Sequence, residues 1–310
     1  MLNRLWKSSA PLTATWLLMI AALAGAVIGL AVDPRIITGA PAWLKPAKFA
    51  TSIAIYTFTL AWIFSVIPEW VRTRRIVEWT TAVALVGEMV LISLQALRGT
   101  TSHFNVATVF DGVVFTIMGA AIVVQTLSTV AVGVALWRHQ FADRALGWAL
   151  RLGMITTIIG AMTGGLMTQP TGQQLAAARA GERITVVGAH TVGAPDGGSG
   201  LPGTGWSTDH GDLRVPHFIG LHALQVLPIV ALVLARRTVR DLVRVRLTIT
   251  AAASYVALFG ILLLQALRGQ SVLNPDALTM ALLGAWALAT AAAAAVSALH
   301  LQQVRRSVVV

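Results

Sequence analysis

Eight long apolar runs dominate this chain, and they leave very few folds open to it. They cover roughly residues 12–32, 48–67, 79–97, 106–136, 146–167, 217–235, 247–267 and 277–300. A helix needs about 20 apolar residues to cross the hydrocarbon core, and inside lipid every backbone polar group must be satisfied within its own segment. The expected fold is therefore all-α, a polytopic membrane protein with eight transmembrane helices. Only 11% of the residues are charged, where a soluble domain carries about 25%. Cysteine is absent, which excludes disulfides, thiolate metal sites, iron–sulfur clusters and cysteine nucleophiles.

A net charge of +11 would point to a polyanionic partner in a soluble protein. Here the cations gather between alternate runs. The N-terminus, the connections near 68–79, 137–151 and 236–246, and the C-terminal tail hold fifteen of the 23 Lys and Arg. The positive-inside rule then places both termini in the cytoplasm. The arginine clusters become topology signals, and no nucleic-acid partner is expected. Many Ala, Val, Leu and Arg with few Lys suggest a GC-rich bacterial source, so the expected location is the cytoplasmic (inner) membrane.

Leu94-Gln-Ala-Leu-Arg-Gly99, closing the third run, recurs as Leu264-Gln-Ala-Leu-Arg-Gly269, closing the seventh. Each is followed by a short loop with an asparagine, Asn105 or Asn274. Pro46-Ala-Lys-Phe49 corresponds to Pro216-His-Phe218, and Gly25-x-x-x-Gly29 to Gly160-x-x-x-Gly164. These correspondences keep their order, which predicts a tandem duplication of a four-helix unit, residues 1–140 and 141–310, related by an axis along the membrane normal. The paired glycines should let the first and fifth spans approach a neighbour closely. The first run is then part of the fold and not a cleaved leader.

The second unit carries an insertion, expected as a folded outer loop over 168–215. Within it, Thr171 followed by Gln174 is a capping-box pattern. Arg183-Ile-Thr-Val-Val187 alternates like a short strand, and the glycine-rich stretch 195–205 forms turns. The segment Gly188-Ala-His-Thr-Val-Gly193, Pro195-Asp-Gly-Gly198 and Gly211-Asp-Leu-Arg-Val-Pro-His-Phe218, with His222 beyond, resembles a family of uncharacterised bacterial integral membrane proteins with eight helices. The resemblance covers the loop and the sixth run and implies an integral membrane protein, with no activity attached.

Ionisable groups inside hydrocarbon are costly and mark function. Glu88, mid-way along the third run, and Asp111, in the outer part of the fourth, are either carboxylates satisfied by Arg98 and nearby hydroxyls or members of a proton relay or ligand site. Runs seven and eight offer no equivalent acid. Gln95 and Arg98, with Gln265 and Arg268 as their repeats, lie three residues apart on one helix face. Such arginines either snorkel and cap carbonyls or clamp an anion.

Histidines concentrate in Asp209–Gln225, where His210, His217 and His222 accompany Asp209, Asp212, Arg214 and Gln225. Neutral imidazole is the commonest metal ligand, so His103, His217 and His222 are the candidate metal ligands. Candidate catalytic residues are Glu88, Asp111 and His222. Candidate ligand-binding residues are Gln95, Arg98, His103, Asn105, Asp209, His210, Arg214, Gln225, Gln265 and Arg268. The expected site lies at the outer leaflet between the two units, roofed by the long loop.

The first functional expectation is a redox protein linked to a metal, haem or quinone. A transporter of a small molecule or ion, or a structural subunit of a membrane complex, are the alternatives, and enzyme status stays open. Partners are the bilayer and a small or lipid-soluble ligand. The four-plus-four arrangement resembles the haem A synthase family in outline, but that family's histidines in matching spans of both halves are absent. No spacing matches a known metal motif, and neither a phosphate-binding loop nor a Gly-x-Ser-x-Gly turn is present. A transporter requires a polar path to the cytoplasm, and the inner halves of most runs show few polar residues.

Overall fold

The structure, a computed structural model, describes residues 2–237 and 240–307, with side chains described to residue 298. A short α1 (Leu2–Ser8) leads to α2 (Ala10–Val32), whose N-terminus is capped by the Ser9 hydroxyl. The hairpin β1 (Ile36–Ile37)–β2 (Ala40–Pro41) turns the chain into α3 (Leu44–Val66). Then come α4 (Val71–Leu97), α5 (Val109–Arg138, capped by Thr108) and α6 (Arg144–Met167, capped by Asp143). The long connection holds α7 (Gly172–Arg179), β3 (Thr191–Val192) and β4 (Gly211–Asp212). Helices α8 (Arg214–Leu221), α9 (Ala223–Ala235), α10 (Asp241–Leu267) and α11 (Ala277–Ser307) complete the described chain.

The architecture is all-helical. Seven helices (α2–α6, α10 and α11) are long and apolar enough to cross a membrane, and α8 with α9 forms an eighth such segment bent by 44°. This fits a multi-pass membrane protein. Helices α4 and α10 begin before their apolar runs and take Arg72, Arg74, Arg75, Arg244 and Arg246 into their first two turns. One end of the bundle is thus rich in arginine.

The sixth run is not the straight helix its hydropathy suggests. The Thr157 hydroxyl of α6 inserts at the bend, accepting from the Leu224 amide (3.2 Å) and lying 3.1 Å from the Leu221 carbonyl. A side chain that enters the backbone ladder in this way is a recognised cause of a sharp kink. Backbone contact adds to it, because a Cβ built on Gly160 would meet Gly220 Cα at 2.5 Å. Close approach therefore occurs at Gly160. Gly29 instead faces the Trp43 ring, Gly164 the His217 ring, and Gly25 has nothing within 4 Å.

Helix α2 packs on α3 and α4, α3 on α4, and α4 on α5; α6 packs on α8, α9 and α10, α8 and α9 on α10, and α10 on α11. Contact between α5 and α6 joins the two sets. Helices α4 and α10 also end alike. Gly99 and Gly269 take φ of +74° and +72°, and the Thr100 and Gln270 amides return to the Gln95 and Gln265 carbonyls. That is the Schellman closure, which needs a left-handed residue after the helix and so favours glycine.

At the end opposite the arginines, four connections form a folded cap. Extended backbone at 185–187 pairs with 104–106 through Val106 N–H to Thr185 and Val187 N–H to Phe104. β3 pairs antiparallel with β4. The Thr171–Gln174 capping box is present, and the Gln174 side chain also holds both backbone groups of Gly188.

Candidate functional site

Between this cap and the helix ends lies a cavity of about 1570 Å³, larger than a pocket for a drug-sized molecule. Its wall includes Lys45, Lys48 and Phe49 from α3, Ile92 and Ala96 from α4, and His103 and Phe104 from the α4–α5 connection. The long loop adds His190, Asp196, His210 and Arg214, while Leu166 of α6 and Leu267 of α10 reach it from the apolar flank.

The central group is His103. Lys45 Nζ lies 3.0 Å from His103 Nδ1, and Ser102 Oγ 3.1 Å from the same nitrogen. On the far side of the ring, Nε2 stands 3.4 Å from Glu88 Oε1. Nδ1 thus faces Lys45 and Ser102, and Nε2 faces the Glu88 carboxyl. Burial first, and then the nearby charge of Lys45, hold the imidazole below its ordinary pKa, so it is neutral at pH 7. Phe49, Phe104 and Phe115 surround it with centroids 5.7, 6.2 and 6.5 Å away. Glu88 is 2% exposed and neither of its oxygens has a hydrogen bond within the protein.

A second pair faces the same space. His190 Nδ1 lies 2.6 Å from Asp196 Oδ2, and this carboxylate also accepts from the His190 and Thr191 amides. Burial alone would raise the Asp196 carboxyl, but these hydrogen bonds and the His190 ring outweigh it and hold it well below the usual carboxylate range. Burial likewise keeps the His190 imidazole below its usual value. Arg214 grips Asp212 through two nitrogens and reaches the Gly205 carbonyl at 2.6 Å, while the Ser207 amide donates to Asp212 at 2.7 Å. Lys48 Nζ donates to the Thr204 carbonyl at 2.7 Å. Arg214, Asp212 and Lys48 therefore lock the glycine-rich stretch in place. Asp209 and His210 are exposed at the rim.

His217 and His222 contact other groups. His217 Nδ1 is 2.8 Å from the Gly160 carbonyl and 3.1 Å from Thr163 Oγ1. His222 sits at the α8–α9 bend, with Nδ1 3.3 Å from Gln225 Oε1, and Gln225 donates to Thr59 of α3 at 3.2 Å. Its Nε2 is buried without a partner. Among the described residues no three His, Asp or Glu side chains are grouped to hold a metal ion.

Several expected site residues serve the fold. Asp111 does not line the cavity; it accepts from Gln95 (2.9 Å), Arg98 (2.6 Å) and the Thr108 hydroxyl (2.6 Å), tying α4 to α5. Arg98 also bonds Gln95 Oε1 and lies over the Phe110 ring at 4.5 Å. Asn105 folds its own loop by bonds to Thr100, Thr101 and the Ala107 amide. Gln265 donates to the Ser271 carbonyl as Gln95 does to Thr101. Arg268 pairs with Asp276, which caps α11 through the Thr279 amide. The seventh and eighth runs hold no equivalent acid, as expected, but Asp276, one residue ahead of α11, pairs with Arg268 as Asp111 does with Arg98.

Sequence reasoning missed Lys45 and the His190–Asp196 pair. The signal available for Lys45 was a cation placed inside the first turn of an apolar span, which demands a partner. No protein-family model, no curated protein and no solved structure matches this chain.

Proposed function

We propose that this chain is an eight-span protein of the bacterial cytoplasmic membrane that binds a lipid-soluble, quinone-type ligand at the outer leaflet, in the cavity beside His103. The observation that carries this reading is the Lys45–His103–Glu88 line, which joins the cavity wall to a buried carboxyl that has no other partner. Two donors, the Lys45 ammonium and the Ser102 hydroxyl, stand beside a flat aromatic surface of Phe49 and Phe104. A quinone head group offers carbonyl acceptors and a planar ring to such a wall. Leu166 and Leu267 line the cavity and are 45% and 49% exposed, so they offer an apolar surface to an isoprenoid tail.

Topology is part of the same proposal. The arginine-rich end supports cytoplasmic termini by the positive-inside rule, which makes the cap an outer loop. The matching Schellman ends, the matching Gln and Arg contacts and the repeated helix pairings support the tandem duplication. Metal-linked chemistry draws no support from the candidate ligands His103, His217 and His222, which each have separate partners.

The test is a titration of the purified protein in nanodiscs with decylubiquinone, read by calorimetry. Saturable binding is expected, weakened at least tenfold by Lys45→Met and by His103→Ala in folded protein. Absence of binding to the unaltered chain, or equal binding by all three, refutes the reading.

A further inference from the structure

Helix α4 carries an arrangement that the cavity does not need. Glu78, Thr81, Leu85, Glu88, Ile92 and Gln95 follow one another at steps of three and four, so they share one stripe, and all six are buried. Packing in lipid requires no polar groups on such a stripe, and each unsatisfied one costs several kcal/mol. Four of the six are nevertheless polar. Gln95 is held by Asp111, but Glu78 Oε1, Thr81 Oγ1 and both Glu88 oxygens have no hydrogen-bond partner in the protein. Arg74 Nε lies 3.3 Å from Glu78 at the arginine-rich end, without hydrogen-bond alignment.

Helix α5 answers this stripe at one level. Gln125 lies sixteen residues from the start of α5, as Thr81 lies sixteen from the end of α4, so the two share a depth in this antiparallel pair. Gln125 donates to Tyr56 Oη (3.1 Å), Tyr56 meets Thr129 Oγ1 (3.0 Å), and Gln125 Oε1 is another buried acceptor without a partner.

We propose that this stripe is a proton path across the membrane. It runs from Glu78 through Thr81 and the Gln125–Tyr56–Thr129 group to Glu88, then through His103 to the cavity. From Glu78 to Glu88 the helix rises about 15 Å, half of the roughly 30 Å hydrocarbon core. Beyond Glu88, His103 continues the chain to the wall. Buried polar groups without protein partners bind water, and a few waters span the roughly 10 Å between Thr81 and Glu88, past Leu85. Each carboxylate on the path takes a proton from one side and releases one to the other, so only a proton is moved and no electrons are required. The ligand-site reading enters only in naming where the proton arrives.

The test uses the full chain in proteoliposomes with an internal pH dye and a potassium–valinomycin potential of about 100 mV to drive the proton. Proton uptake above that of protein-free liposomes is expected, at least tenfold lower for Glu88→Gln and Glu78→Gln, partly restored by Glu88→Asp, and unchanged for Asp241→Asn. Melting temperatures show whether each variant is folded, and Thr81→Val supplies a second block without a charge change. Unaltered protein no leakier than liposomes, or folded Glu88→Gln with full flux, overturns the path. Glu78→Gln should still bind decylubiquinone. Flux that survives when the unaltered chain fails to bind decylubiquinone removes the ligand reading alone.

Discussion

Gly160→Ala tests how α6 and the bent span are fitted together. A Cβ at this position would stand 2.5 Å from both Gly220 Cα and its carbonyl carbon, and 2.7 Å from the Leu221 nitrogen. Carbon atoms in good contact are about 3.5–4.0 Å apart, so α6 and α8 would have to separate by about 1 Å. Neither obstacle is a flexible side chain; both are backbone, and the neighbouring Thr157 hydroxyl is committed to the same bend. Overpacking of this kind costs about 1–3 kcal/mol, and loss of the aligned Thr157 bonds puts the expected value at the upper end, about 3 kcal/mol. At roughly 2–4 °C per kcal/mol, the melting temperature should fall by about 6–12 °C. The assay is the fraction of monodisperse protein after heating in detergent. Gly87→Ala is the control, since nothing lies within 4 Å of its Cβ and alanine favours helix by about 0.5–1 kcal/mol. A Gly160→Ala protein that melts with the unaltered chain, or a Gly87→Ala protein that falls as far, would refute the close backbone contact.

Two further outcomes follow from the charges. Asp111→Asn removes the buried charge and one of the two acceptor oxygens that serve Gln95, Arg98 and Thr108 and should cost about 2–3 kcal/mol in thermal or denaturant unfolding, below the 3–5 of a fully buried pair because Arg98 is partly exposed. Asp276→Asn breaks an exposed pair and should cost less; the reverse order would show that the α4–α5 tie is misjudged. For pH, burial holds His103 and His190 below the ordinary value of 6.5, so the unfolded chain binds protons first as pH falls. Their contribution is full above about pH 6.5 and is lost below it. The depressed Asp196 adds loss of the same sign in the carboxylate range. Melting temperature should therefore drop between pH 7.5 and 5.5, and a folded His103→Gln variant should show a shallower drop; a flat profile in the unaltered chain contradicts neutral buried imidazoles.

The all-helical class, seven of the spans, the gathering of arginine at one end and the Thr171 capping box were all legible in the amino-acid order. Each depends on hydropathy, charge or hydrogen bonding over a few neighbouring residues, which a linear text records directly. The bend of the sixth span was not, because the hydroxyl that makes it belongs to Thr157, more than sixty residues away. The candidate site divides along the same line. Glu88 and Asp111 look alike in sequence, two acids in apolar runs, yet Asp111 is met by three donors and Glu88 by none in hydrogen-bonding geometry. Gln-Ala-Leu-Arg-Gly reads as a repeated binding motif and is, in space, a repeated helix terminus. Whether a buried polar group is satisfied depends on partners brought by other helices, and the tertiary structure alone decides which atoms are left over. Those leftover atoms on α4, together with Lys45 beside His103, moved the polar path from an expectation the sequence disfavoured to the centre of the proposed chemistry.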